Sequence, residues 1–315
     1  MTVSETAALL LRQNNILILS HIRPDGDTIG CAAGLCALLR QAGLRAYALP
    51  NPGVTGTFSS YLLPYLAPES FSPSFIVSVD IASLSLLQVN ARGLSGQIGL
   101  AIDHHPTYEG FAEASCVDPS CAACGELIYR IALELGGLTR ETALPLYVAI
   151  STDTGCFQFS NTTGETHRIA AALMDTGIDY QALNKALFRT KSLRRLQIEA
   201  RLTQTIEFHE DGAIAIASIP LSLMDRLGAT EADVEEISNF PGQIAGVLAA
   251  ITIREQKDGT SKISARTDPS HINASHVCAL LGGGGHAAAS GCTVNGSIEA
   301  AKRAILGAIA QVRRR

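Results

Sequence analysis

Residues Asp103, His104 and His105 follow one another directly after the apolar run 98–102. Carboxylates and imidazoles are ligands that hard or borderline divalent cations such as manganese and magnesium accept. Taken alone, the triplet is equally compatible with a pair of ordinary loop histidines. Its meaning therefore depends on whether other acidic side chains reach the same place.

Three further acidic positions each follow a short apolar run of β-like character. His21, Asp25 and Asp27 come after residues 16–19, Asp80 comes after 75–79, and Asp153 comes after 146–150. The carboxyl ends of parallel strands lie along one edge of a sheet, where ligands bind. We therefore expect these side chains to converge. Taken singly, each position is also explained by a turn or by a helix-capping carboxylate.

The joint argument rests on the charge of Asp25, Asp27, Asp80 and Asp153. Two unit charges ~4 Å apart repel by roughly 4 kcal/mol at an effective dielectric constant near 20. Two divalent cations would cancel four carboxylates, and the histidines would add neutral ligands. A pair of such ions is typical of sites that hydrolyse phosphate esters.

Composition favours a folded protein of about two domains. The chain has 315 residues, of which 47% are hydrophobic and 17% charged, and a net charge of −5. Proteins that coat long nucleic acids usually carry a basic face, so a long duplex partner is not expected. The first twenty residues do not resemble a signal peptide, and no apolar run reaches 18 residues. These features predict a cytoplasmic protein without a membrane partner.

The first half of the chain alternates strand-like and helix-like segments. Strands are predicted at residues 16–20, 45–49, 75–80 and 98–103, helices at 28–42, 124–135, 140–152, 165–176 and 180–188, and a loop at 50–60. The alternation predicts an α/β domain with a doubly wound parallel sheet. The run 146–150 lies inside the predicted helix 140–152, so its two predictions conflict.

The second half of the chain has a different order of predicted strands and helices. A charged helix at residues 192–203 is interpreted as a linker. Strands are then predicted at 205–208, 213–219, 244–255 and 261–266, and helices at 220–227, 230–237, 275–281 and 298–313. The expected domains are 1–190, a linker at 191–204, and a second, smaller α+β domain with a mixed sheet at 205–315.

The second domain has its own candidate for anion binding. Glycines 282–285 and His286 precede three alanines, a pattern that predicts a loop leading into a helix. Backbone N–H groups of such a loop can surround an oxyanion, although flexible loops are glycine-rich too. Arg266, at the end of a predicted strand, can grip a terminal phosphate, but a surface charge explains it equally well.

The eight cysteines include the pair Cys121 and Cys124 in a Cys-x-x-Cys pattern. A structural zinc site needs four ligands, and no second pair stands at a suitable spacing. We therefore expect free cytosolic thiols, with these two as small packing residues.

At this point several segments in order resemble one family: HIRPDGDTIG, VDIA, IDHH, STDTGCFQFSNTT, SARTDPSHINAS and LGGGGHAAASG. They resemble the DHH phosphoesterases that carry a DHH-associated C-terminal domain, the nanoRNase/pAp phosphatase group. The resemblance implies two Mn²⁺ ions, with Mg²⁺ or Co²⁺ as alternatives. It implies one ion held by His21, Asp25 and Asp80, and a second held by Asp27, Asp80, His104 and Asp153.

The same resemblance implies catalytic roles for His105, beside the reacting phosphate, and for Asp103, which would orient a histidine. It implies that the far end of a nucleotide is bound by Arg266, Gly283, Gly284, Gly285 and His286. Cys121 and Cys124 depart from the small or hydroxyl residues usual in relatives. Gln158 stands where many relatives carry a basic residue, which puts phosphate contacts near Asp153 in doubt.

The implied activity is hydrolysis of short 5′-phosphorylated oligoribonucleotides to mononucleotides, together with removal of the 3′-phosphate from pAp. The nearest alternative is a phosphodiesterase for cyclic or linear dinucleotides. A RecJ-like exonuclease, an inorganic pyrophosphatase and a non-catalytic nucleotide-binding protein fit the sequence less well. The sequence leaves open the substrate in the cell, the cleavage polarity and the oligomeric state, for which a homodimer is one option.

Overall fold

The computed structural model describes residues 1–54, 56–234 and 237–313. The chain forms two compact units, Met1–Thr190 and Lys191–Arg315. The extents of the functional domains and of the linker stay predictions. Among the described helices, none is long and apolar enough to cross a membrane.

The first unit contains a five-stranded sheet in which every pairing is parallel. Its strands lie in the order β2-β1-β3-β4-β5 and are β1 (Ile16–Leu19), β2 (Ala46–Ala48), β3 (Phe75–Val79), β4 (Ile98–Asp103) and β5 (Ala114–Val117). All residues of β1 and β4 are buried, as expected for strands covered on both faces. The predicted parallel α/β sheet is confirmed, and β5, which the sequence did not predict, extends it.

Seven helices accompany this sheet within the described part of the first unit. They are α1 (Val3–Leu11), α2 (Gly26–Gln41), α3 (Gly56–Leu62), α4 (Cys124–Glu134), α5 (Arg140–Asp153), α6 (Gly164–Asp175) and α7 (Tyr180–Asn184), which a π-helical turn at Lys185–Arg189 continues. One face of the sheet buries Ile18, Val77 and Ile102 in the main core. On the other face Leu19 and Ile76 pack in a smaller cluster with Leu87, close to two 3₁₀ segments, Leu84–Leu86 and Val89–Gln97.

Two local predictions for this unit are wrong. The predicted loop 50–60 contains the start of α3 at Gly56, and residue 55 lies outside the described residues. The run 146–150 lies in α5 and is not a strand. A short apolar run cannot be assigned by periodicity alone when all of it is buried, and here a capping box at Thr139 starts the helix.

The second unit contains a six-stranded mixed sheet, which confirms the predicted α+β domain. The order is β10-β11-β9-β8-β7-β6, with β6 (Glu207–His209), β7 (Ile214–Ile219), β8 (Ala249–Glu255), β9 (Thr260–Thr267), β10 (Gly284–Gly285) and β11 (Ala289–Asn295). Only the β7–β8 pairing in this sheet is parallel among the described residues. The predicted strand 244–255 begins later, at Ala249.

The helices of the second unit are α8 (Leu193–Thr205), α9 (Leu221–Leu227), α10 (Glu231–Val234), α11 (Ala274–Ala279) and α12 (Ile298–Arg313). The predicted helix 230–237 is therefore shorter. Its residues 235 and 236 lie outside the described residues, and Ile237 begins a 3₁₀ turn. The helix α8 packs Ile198 and Leu202 against strand β7 residues of this unit.

The glycine-rich segment forms a β-hairpin, so the predicted loop-to-helix turn is wrong. Gly284 and Gly285 pair with Gly291 and Ser290 in antiparallel register. A Cβ on Gly283 would lie 2.2 Å from a backbone oxygen of β11, and Gly285 has φ +142°, so side chains are excluded from this close approach. The alanines that suggested a helix lead into β11, which pairs with β9 along its whole length.

Candidate metal centre

Asp80 lies at the carboxyl end of β3, near the middle of the five-stranded sheet, and is 4% exposed. Its φ of +57° is unusual for a residue other than glycine, and such strain is often found at functional sites. Its Oδ2 lies 3.6 Å from Nε2 of His21, and its Oδ1 lies 3.6 Å from Nε2 of His104. The two oxygens of one carboxylate therefore face two different imidazoles.

The segment between β1 and α2 supplies His21, Asp25 and Asp27. Asp25 caps α2 by accepting the N–H groups of Asp27 and Thr28, and its Oδ1 also lies 3.5 Å from Nε2 of His21. Asp27, in the first turn of α2, is 2% exposed and has its Oδ2 3.7 Å from Nε2 of His104. One short segment thus places three candidate ligand side chains around Asp80.

The end of β4 supplies Asp103, His104 and His105. Nε2 of His104 lies 3.6–3.7 Å from an oxygen of Asp27, of Asp80 and of Asp153. Asp103 is buried, and its Oδ1 lies 2.8 Å from Nδ1 of His105. The structure therefore separates a histidine surrounded by carboxylates from one that is oriented by its neighbour.

Asp153 reaches this group from the last residue of helix α5, whereas a strand end was predicted. Helices α2 and α5 approach each other closely because glycines of α2 face α5. A Cβ on Gly26 would lie 2.2 Å from the Thr152 side chain, and one on Gly30 would lie 2.3 Å from the carbonyl oxygen of Pro145. This close packing places Asp153 beside Asp27.

The predicted nucleotide-binding residues lie in the second unit. Arg266 is a partly buried residue of β9 and pairs in register with Ala289 of β11. His286 is exposed in the hairpin turn and exchanges backbone hydrogen bonds with Ala289. Strand β11 therefore lies between Arg266 and the segment 283–286.

Sequence reasoning missed the groups that hold the candidate ligands in place. Gln88 is fully buried, and its Oε1 accepts hydrogen bonds from the backbone and the hydroxyl of Ser20 at the end of β1. Asn51 donates from its side chain to the backbone oxygen of His21. Gln88 is separated from Ser20 by 68 residues, so no local pattern marks the contact.

Both units of the chain match models of known protein families. Residues 15–150 match the model of the DHH family, N-terminal domain, and residues 211–312 match that of the DHHA1 domain. A protein of Thermus thermophilus named bifunctional oligoribonuclease and PAP phosphatase NrnA is 32% identical over 284 residues, which cover 89% of this chain and 84% of that protein. The chain belongs to the DHH family. A protein of the same name from Bacillus subtilis is 27% identical, with coverage of 89% and 90%.

The fold of this DHH-family chain also occurs among solved structures. An exopolyphosphatase-related protein from Bacteroides fragilis superimposes with a TM-score of 0.88 at 24% identity, covering 99% of this chain and 96% of that one. This likeness extends over both units and concerns the fold.

Three carboxyl groups of this centre have raised pKa values, because they are buried close to one another. Burial, with the charge of Asp25, raises the pKa of Asp27 to about 7, and burial, with the charge of Asp27, raises the pKa of Asp153 to about 7. Burial and Asp27 also raise the pKa of Asp80 well above its ordinary value. Burial opposes the charged form of His105, but Asp103 and Asp80 outweigh it and raise its pKa to about 9.

These residues fit divalent cations. In each of three sets of residues, the candidate ligand atoms lie within 4.8 Å of one another. The sets are His21, Asp25 and Asp80; Asp27, His104 and Asp153; and Asp80, His104 and His105. Oδ1 of Asp80 is buried and has no hydrogen-bond partner among the described residues. A buried carboxylate oxygen without a donor is costly unless a cation contacts it, and a set of carboxylates with imidazoles suits manganese or magnesium.

Proposed function

We propose that this chain is a two-metal phosphoesterase that hydrolyses short 5′-phosphorylated oligoribonucleotides to mononucleotides and also dephosphorylates pAp. The observation that carries the proposal is the position of Asp80, whose two oxygens each lie 3.6 Å from a different imidazole. The substrate class is supported by the names of the relatives from Thermus thermophilus and Bacillus subtilis, most of whose length this chain spans.

We assign one ion to His21, Asp25 and Asp80. We assign a second ion to Asp27, Asp80, His104 and Asp153, so that Asp80 is shared. We propose Mn²⁺ for both ions, since the oxygen ligands and the imidazoles suit it. A bound pair of this kind supplies an activated water and stabilises the charge of an in-line displacement at phosphorus.

We assign proton transfer to His105, and we assign its orientation to Asp103. Nδ1 of His105 lies 2.8 Å from Oδ1 of Asp103, so this side of the ring is held by the carboxylate. Nε2 is then the ring atom that holds or transfers a proton at the reacting phosphate. Asp103 acts as the positioning residue, because its carboxylate accepts the Nδ1 proton and fixes the orientation of the ring.

Recognition of the nucleotide's far end is proposed for the second unit. Arg266 can form two parallel hydrogen bonds to a terminal phosphate, which a lysine cannot. The hairpin formed by Gly283, Gly284 and Gly285 has no side chains and therefore exposes its backbone, while His286 adds an imidazole. Together these groups would select a short anionic ligand by its end.

A substrate panel tests the proposed activity. With Mn²⁺ present, products are followed for pApA, pAp, cyclic di-AMP and a 24-nucleotide RNA at equal concentration. Rapid conversion of pApA to AMP with the long RNA nearly intact supports the proposal, and pAp turnover supports its second part. Faster cleavage of cyclic di-AMP or of the long RNA would overturn the substrate class and leave the metal centre standing.

A further inference from the structure

The segment Asp118–Gly125, which follows β5 and ends with the first two residues of α4, contains the unexplained Cys-x-x-Cys pattern. We propose that this positioning segment holds the metal ligands His104, Asp27 and Asp153 in place, and that Asp118 and Asn161 are the positioning residues that fix its shape. The inference deepens the proposed function, since it rests on the same metal centre.

The first contact of the positioning segment is with His104. Nδ1 of His104 lies 3.2 Å from the backbone oxygen of Cys121. A carbonyl only accepts hydrogen bonds, so it selects the tautomer with the proton on Nδ1. Nε2, the atom that faces Asp27, Asp80 and Asp153, is then left with its lone pair for a cation. Such hydrogen bonds to the outer nitrogen of a ligand histidine are a common means of orienting the ring.

The second contact is with Asp27. Its Oδ2 accepts the N–H of Cys124 at 2.7 Å, and its Oδ1 accepts the N–H of Gly125 at 3.0 Å. These are the first two amides of helix α4, whose own N-cap residue, Ala123, makes no side-chain hydrogen bond. Asp27, a residue of α2, therefore caps the N-terminus of α4 with its side chain. Its carboxylate is held on both oxygens while Oδ2 still faces His104.

The third contact is with Asp153, through Asn161. The Asn161 side-chain nitrogen donates to the backbone oxygens of Ala122 at 2.9 Å and of Asp153 at 3.1 Å. One amide thus ties the positioning segment to the end of α5. The backbone N–H of Asp118 also donates to the backbone oxygen of Asp103, at the end of β4. The eight residues 118–125 therefore contact His104, Asp27 and the backbone of Asp103 directly, and Asp153 through Asn161.

Asp118 fixes the turn that makes these contacts possible. Its Oδ1 accepts the backbone and the hydroxyl of Ser120, and its Oδ2 accepts Arg130 at 2.9 Å. Its backbone oxygen accepts the N–H of Cys121. This turn directs the Cys121 carbonyl towards His104, so loss of the Asp118 carboxylate should loosen that contact.

The same geometry explains the two cysteines without zinc or a redox pair. The Cys121 thiol lies 3.5 Å from Oδ2 of Asp118, and the Cys124 thiol donates to the backbone oxygen of Ile102 at 3.3 Å. Both are buried and free. The sets of described residues that could hold a metal contain neither of them. Their backbone groups contact His104 and Asp27, and their thiols are small hydrogen-bond donors that pack in the core.

Manganese affinity tests the positioning segment, measured by calorimetry and by the rise in melting temperature on adding Mn²⁺. Asp118→Ala and Asn161→Ala should each weaken Mn²⁺ binding by about 10- to 100-fold, the loss usual for such outer hydrogen bonds. Saturating Mn²⁺ should restore turnover of pApA to within about threefold of the unsubstituted chain, because the ligands themselves remain. Asp118→Asn, which keeps the acceptor for Ser120, should recover part of the affinity.

Two control variants separate positioning from general destabilisation. Glu165→Ala removes an exposed ion pair with Arg168 at 2.8 Å and should leave Mn²⁺ affinity unchanged. Asp175→Asn, at an exposed position at the end of α6, should do so too. If Asp118→Ala fails to fold, the exposed Asn161 carries the test.

The outcomes distinguish this inference from the proposed function. If the unsubstituted chain binds no Mn²⁺, the metal centre itself is refuted. If it binds Mn²⁺ and both Asp118→Ala and Asn161→Ala bind it equally well, the positioning segment is refuted and the centre stands. Activity that stays low in both variants at saturating Mn²⁺ would also overturn positioning, because a loosened ligand is recovered by more metal.

Discussion

Replacing Asp80 with asparagine removes one charge from the centre of the site while keeping the shape of the side chain. Asparagine, like aspartate, tolerates the left-handed conformation that this position adopts at φ +57°. The backbone should therefore be undisturbed, which an alanine would not ensure. In the metal-free chain the change relieves repulsion with Asp27, so stability should be retained or raised.

The expected loss of metal affinity follows from the position of the two oxygens. Each lies 3.6 Å from an imidazole of a different ligand set, so both ions lose a ligand charge. Two unit charges ~4 Å apart interact by roughly 4 kcal/mol at an effective dielectric constant near 20, and the double charge of Mn²⁺ makes this a lower bound. That corresponds to a loss of Mn²⁺ affinity of at least about 10³-fold, since 1.4 kcal/mol is about tenfold. Turnover of pApA should fall at least as much.

Melting temperatures with and without Mn²⁺ provide the assay. At 100 times its dissociation constant an ion stabilises the folded state by ~2.7 kcal/mol. For a unit of this size, each kcal/mol raises the melting temperature by about 2–4 °C, so each ion should add roughly 5–11 °C. Asp80→Asn should lose most of this gain, whereas the same change at the exposed Asp175 should keep it. A full Mn²⁺ gain and normal turnover in Asp80→Asn would refute a shared carboxylate.

Three further predictions concern titration, proton transfer and packing. Because burial raises the pKa of Asp27 and Asp153 to about 7, folding of the metal-free chain takes up protons between about pH 4 and 7, and its stability should fall across that window. The gain in melting temperature on adding saturating Mn²⁺ should therefore be larger near pH 7.5 than near pH 5, and an equal gain would show that these carboxylates do not bind the ions. His105→Gln should lower kcat by about 10²- to 10⁴-fold with the Mn²⁺ gain intact, and loss of that gain would instead make His105 a ligand. Gly30→Ala places a Cβ 2.3 Å from a backbone oxygen of α5 and should cost about 1–3 kcal/mol in urea unfolding. Gly34→Ala, where the nearest atom belongs to a leucine side chain, should cost less, and equal losses would contradict the close helix contact.

The sheet and the strand-end side chains could be predicted because their signals are local. Runs 75–79 and 98–102 are apolar apart from Ser78, and both become strands of the parallel sheet. Their next residues, Asp80 and Asp103, accordingly lie at the edge where ligands bind. The sequence also identifies Asp153 as a candidate ligand. It predicts the end of a strand before Asp153, because a buried apolar run has the same composition in a helix as in a strand.

Contacts between distant parts of the chain could not be predicted. Cys124 and Gly125 contact Asp27 through backbone N–H groups across 97 and 98 residues, and a backbone group leaves no mark in the sequence. The local pattern of glycines 282–285 predicts a loop before a helix, because their pairing with β11 depends on a strand that lacks a strong apolar alternation. At the hairpin, tertiary pairing overrides the local preference.

A crystal structure of the chain grown with Mn²⁺, with an anomalous difference map recorded at the manganese edge, tests the shared metal centre most directly. The predicted result is two peaks about 3.5–4 Å apart, with Asp80 contacting both. His21 and Asp25 should contact one ion, and Asp27, His104 and Asp153 the other. A single peak, or two peaks that Asp80 does not join, would contradict the two-metal assignment.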